Sequence, residues 1–162
     1  MDYLYWITGG MLLGGTVTAA SYYFGWLPMR ARQREQRLVK ARKDFHLRRE
    51  QLEARFLTRA SNSGKPRGLR WVDCDFDNEI TYARDKRTGQ LSAFVGVTIS
   101  FEAIEGGGME HVEAVGNLRA ATAVFNLDEK MVWNTDGRAI FNLNPVEAVQ
   151  YYQANLELVA DK

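Results

Sequence analysis

The chain has 162 residues, 46% hydrophobic and 25% charged, a composition that excludes disordered and collagen-like classes. Twenty-one Lys and Arg against twenty Asp and Glu leave a formal net charge of +1, so the whole molecule is not a polyelectrolyte. One cysteine excludes an internal disulfide, and with only two histidines the zinc-ligand spacings are missing.

Residues 3–29 carry no charged side chain, and the next twenty carry nine Lys or Arg. A bilayer core about 30 Å thick needs roughly 20 apolar residues, and Tyr3–Leu27 supplies that length. Tyr3, Tyr5 and Trp6 mark one end, and Tyr22, Tyr23, Phe24 and Trp26 the other, as interfacial belts do. Pro28 lacks an amide donor and suits the exit from the hydrocarbon. A cleaved signal peptide would begin with bases, whereas this chain begins Met1-Asp2. A buried core helix seldom runs this far without a charge. The expectation is a single transmembrane anchor over residues 1–29.

Small residues gather inside it. Gly10, Gly14 and Thr18 form one face at four-residue spacing, with Gly15 and Ala19 beside it. Such spacing lets two backbones approach, so a helix contact with a second copy or another membrane subunit is expected.

Residues 30–66 form the second expected part, a basic amphipathic juxtamembrane helix and linker. Between 30 and 59 stand eleven bases and four acids, a net +7, whereas 60–162 has ten bases and fifteen acids, a net −5. Arg30, Arg32, Arg34, Arg37 and Lys40 sit where anionic lipid headgroups would meet them, each gaining about 1 kcal/mol from the surface potential. The positive-inside tendency then puts the N-terminus outside and the C-terminal domain in the cytoplasm. A nucleic-acid partner is not expected, because the stretch has few aromatic rings and adjoins a membrane. Residues 30–60 lack Gly and Pro, and Leu38, Ala41, Phe45, Leu52 and Phe56 share one face, so one continuous helix is predicted, its second half docking on the sheet. Ser61–Pro66 ends it as a turn.

Residues 67–162 form the third part, a soluble α+β domain. Val72, Cys74 and Phe76 alternate with acids; Val95, Val97, Ile99 and Phe101 alternate with small or polar residues; Val112, Ala114, Gly116 and Leu118 continue the period. Strands are expected near 72–77, 78–84, 90–104, 111–127, 130–134 and 138–143, with bends at Gly96 and Gly116. Asn144, Pro145 and Glu147 spell a helix start, and Val146, Val149, Tyr152 and Leu156 its apolar stripe. The expected fold is therefore α+β: a curved antiparallel sheet of five or six strands with a C-terminal helix, the helices covering one face. In outline this resembles cystatin-like and nuclear-transport-factor-like domains, in architecture alone.

No motif in this domain carries recognisable chemistry. Asp73–Ile80 resembles the start of a calcium-binding loop, but Asn78 replaces the turn glycine and Arg84 the closing acid. Gly106-Gly107-Gly108 lacks the Lys-Ser or Lys-Thr of a phosphate loop. Cys74 has no base in a recognisable motif, since His46 and His111 lie elsewhere in the sequence. Arg119 and Arg138 are the candidate contacts for an acidic ligand, should the sheet enclose a pocket. No catalytic residue, metal or cofactor is expected. The expected function is a noncatalytic, membrane-anchored interaction domain. The alternatives are a tethered ligand-binding or enzymatic domain, and the same module facing outward.

Overall fold

The computed structural model describes residues 27–160. All but the last residue of the expected membrane span, with Gly10, Gly14, Gly15, Thr18 and Ala19, lies outside the described residues. No helix among the described residues is long and apolar enough to cross a membrane. The chain divides into two compact units, Met1–Asp44 and Phe45–Lys162.

Two helices replace the predicted continuous one. Helix α1 spans Leu27–Leu47 and α2 spans Arg49–Asn62. They are separated at Arg48, whose φ −108°, ψ 9° departs from helical values. Periodicity could not reveal this break, since Arg is a good helix former and the apolar stripe continues across it. Within the second unit, Phe45, Leu52, Phe56 and Ala60 are buried.

The sheet has six strands, all pairings antiparallel. They are β1 (Leu69–Asp85), β2 (Leu91–Ala103), β3 (Arg119–Leu127), β4 (Trp133–Asn134), β5 (Ala139–Phe141) and β6 (Leu156–Leu158). The order is β4-β3-β2-β1-β6, with β5 also on β3. A third helix, α3 (Pro145–Tyr151), connects β5 to β6. The fold is α+β with a curved open sheet, as the alternation implies.

Register assigns the faces. Tyr82, Ala93 and Phe125 stand opposite one another, as do Ile80, Val95 and Ala123. On this face Phe45 makes edge contacts with Tyr82, Phe125 and Trp133, and Phe56 with Trp71 and Phe76. The other face presents Thr81, Phe94 and Val124 in register. There Ala83, Phe94 and Val124 bury Ala148 and Val149 of α3. Helices thus cover both faces, not one. The α3 contact reaches only the end of the sheet near Ala83, which leaves Asp73, Asp75 and Glu102 exposed at the other end.

Three strand expectations need correction. The alternating run at 72–77 and the strand near 78–84 are one element, β1, which runs unbroken for 17 residues. It absorbs extra residues as bulges, between Trp71 and Asp73 and between Phe76 and Ile80. The first bulge makes Trp71 the buried residue and leaves Val72 46% exposed. The predicted strand 111–127 starts only at Arg119. Glu113–Gly116 is a 3-10 helix, so Gly116 bends no strand. Gly96 does face a bulge: a Cβ there would strike the Asp77 carboxylate. The final helix starts as predicted, with Asn144 Oδ1 accepting from Glu147 N at 2.9 Å and Glu147 Oε2 accepting from Asn144 N at 3.0 Å. It ends at Tyr151 rather than near Leu156, which belongs to β6.

Candidate functional site

Helix α1 carries the basic collar. Arg32, Arg34, Arg37, Lys40 and Lys43 are all exposed, and Arg30 lies in the helix's first turn. Helical order follows from residues of high propensity, with neither Gly nor an interior Pro after Pro28. Met29 and Val39 are exposed beside them, 64% and 61%. The result is a cationic rod with a few apolar side chains, a surface suited to lipid headgroups or to another anionic surface.

In the second unit, β1 gathers the acids. Asp73 stands opposite Ser100 and Asp75 opposite Thr98, so both lie on the face away from α2. Asp77 lies over Gly96. The second bulge is held from α2: the Arg49 guanidinium donates to the Asp77 carbonyl and, at 3.2 Å, to the Asn78 carbonyl, while its Nε pairs with Glu53 at 2.6 Å. Nothing in the sequence announces this clamp, because its partners are backbone atoms 28 and 29 residues away. Arg70 pairs with Glu102 across β1 and β2.

Among the described residues no group of three or more His, Cys, Asp and Glu side chains is arranged to hold a metal ion. Cys74 is half-buried, and burial first, then the adjacent Asp73 charge, push its thiol from 9.0 up to about 12. The raised thiol disfavours the thiolate that a nucleophile needs.

No family model, curated protein or solved structure matches this chain.

The two candidate ligand arginines do not converge. Arg119 opens β3 opposite Ile99, on the face of the aromatic cluster, and donates to the Ala114 carbonyl at 3.1 Å. Arg138 precedes β5 and stacks on Tyr152, 5.2 Å from the ring centroid, beside α3. The Arg138 carbonyl accepts from Val124 N, five residues along β3 from Arg119. That spacing is about 17 Å of strand at roughly 3.4 Å per residue. Asp136 is exposed before β5, and His111 is exposed in the β2–β3 loop. The face where a curved sheet would hold a ligand is packed with Phe45, Phe56, Phe76, Phe125 and Trp133.

Proposed function

We propose that this is a noncatalytic, single-pass membrane protein whose α+β domain binds another protein or stabilises a membrane complex. The observation that carries the reading is the junction at residue 29, where a charge-free apolar stretch meets nine bases in twenty residues. The glycine face Gly10, Gly14, Thr18 with Gly15 and Ala19 supplies the contact within the bilayer, to a second copy or another subunit. Arg30, Arg32, Arg34, Arg37 and Lys40 rest on anionic headgroups and hold the domain on the cytoplasmic side.

Two observations favour binding over catalysis. The aromatic cluster fills the space a pocket on that face would need. The Cys74 thiol is held protonated.

The test is direct. Full-length protein expressed in cells stays in the membrane pellet after alkaline carbonate, and protease added to sealed inside-out vesicles removes a C-terminal tag. Release by carbonate overturns the anchor. Tag digestion only from the opposite side overturns the orientation and favours the outward-facing arrangement.

A further inference from the structure

Much of the outer edge of β1 has no strand beside it among the described residues. Strand β6 pairs with β1 only at Ala83, Arg84 and Asp85. The Val159 amide then reaches the Tyr82 carbonyl, and Arg49 occupies the carbonyls of Asp77 and Asn78. From Leu69 to Phe76, no described strand pairs with the side of β1 facing away from β2. The Leu69 amide already donates to the Pro66 carbonyl at 3.4 Å, so the open stretch is the six residues from Trp71 to Phe76, roughly 20 Å at about 3.3 Å per residue. An edge of this length invites a further strand unless something blunts it.

The side chains along it state which strand would fit. Asp73 and Asp75 stand two apart on one face, and Cys74 and Phe76 are half-buried on the other. Asp77 extends the acidic side, whereas Arg70 is engaged by Glu102. Asp73 Oδ1 accepts from the Cys74 amide at 2.9 Å. An incoming carbonyl could replace it and free the carboxylate for a cation. A second copy of β1 would set these acids against their own kind, and like charges across strands destabilise the pair. The chain's own basic stretch is helical, so its backbone is already satisfied.

We propose that β1, from Trp71 to Phe76, accepts an extended segment of a partner protein in which basic and apolar side chains alternate. The bases lie beside Asp73 and Asp75, and the apolar residues beside Cys74 and Phe76. Strand addition of this kind draws affinity from main-chain hydrogen bonds and specificity from alternate side chains. The inference deepens the binding-domain reading above and rests on it.

The experiment uses the full chain in an uncharged detergent and four fluorescent octapeptides. One alternates Lys and Val, one alternates Glu and Val, one is the Lys peptide N-methylated at every second residue, and one is methylated at the other set. The Lys peptide is expected to bind at least tenfold more tightly than the Glu peptide. One methylated set, the one that blocks the edge, should lose at least tenfold at unchanged charge. Deuterium uptake across residues 70–77 should fall on binding. The double variant Asp73→Lys/Asp75→Lys should favour the Glu peptide, with its melting curve as the folding control. Equal binding of both methylated peptides and the parent, or protection elsewhere than 70–77, overturns the proposal. So does absence of binding by the Lys peptide. None of these outcomes bears on carbonate extraction, so failure here is distinct from failure of the anchor.

Discussion

Gly137 lies against the backbone of Ala60: a Cβ at Gly137 would come within 2.5 Å of the Ala60 nitrogen. The β4–β5 loop thus seats the last turn of α2, and the glycine also has φ +79°. Gly137→Ala faces two costs, left-handed strain of about 1–2 kcal/mol and a collision with helix backbone that cannot rotate away. Gly89 in the β1–β2 turn has φ +74° but nothing within 4 Å of its missing Cβ. Gly89→Ala is expected to destabilise by about 1 kcal/mol and Gly137→Ala by clearly more, about 3 kcal/mol. Urea unfolding of both variants in detergent measures the difference. Equal losses would mean that the loop and α2 do not touch.

Phe56 is completely buried among Trp71, Phe76 and Phe125, whereas Phe141 is 37% exposed. Phe56→Ala leaves a cavity at the helix–sheet junction and should cost about 3–5 kcal/mol. Phe141→Ala removes a ring already partly in water and should cost a third of that or less. Thermal melts distinguish a core organised by α2 from one that the sheet makes alone.

These relationships explain which parts of the fold were legible. The helix stripe Leu52 and Phe56 and the alternation from Val97 to Phe101 report burial directly, whereas Leu91–Val97 is buried on both faces because α3 covers the second one. The Asn144–Glu147 capping box is contained within four residues and needed no context. By contrast, alternation at Val112 and Leu118 coincides with exposed loop positions, 42% and 67%. Period alone does not supply a partner strand. The β1 bulges are invisible for the same reason, since the extra residues are placed by β2 and by Arg49. Arg119 and Arg138 are alike only in residue type, and register places them on different faces.

Arg49 ties the first turn of α2 to the bulge of β1. Arg49→Met keeps the stem and removes the donors. Charged hydrogen bonds of this kind contribute about 1–3 kcal/mol, and the exposed carbonyls can recruit water, so the loss should fall near 1 kcal/mol. The more specific outcome is local: amide exchange at residues 77–80 should quicken, with β3 unchanged. Arg49→Lys should restore little, because an ammonium cannot fork across two adjacent carbonyls and Glu53.

Two pH responses have opposite signs. Asp85 accepts from the amides of Thr88 and Arg87 at 2.6 and 2.9 Å in the β1–β2 turn, and bonding from Thr88 above all holds its carboxyl below the usual 3.8. The turn's added order is therefore present above that pH and disappears as pH falls through the lower folded value. Cys74 behaves conversely. Its thiol is raised by burial and by Asp73, so its contribution is intact below pH 9 and declines between pH 9 and about 12, where the unfolded chain ionises first. At pH 8 the thiolate fraction should be about a thousandfold below that of an unperturbed thiol, with correspondingly slow alkylation by iodoacetamide. Asp73→Asn removes the smaller cause and should speed alkylation only partly, since burial remains. A rate equal to that of a free thiol in the wild-type chain would show that Cys74 does not pack beneath the sheet, and would open the edge of β1 to a different account.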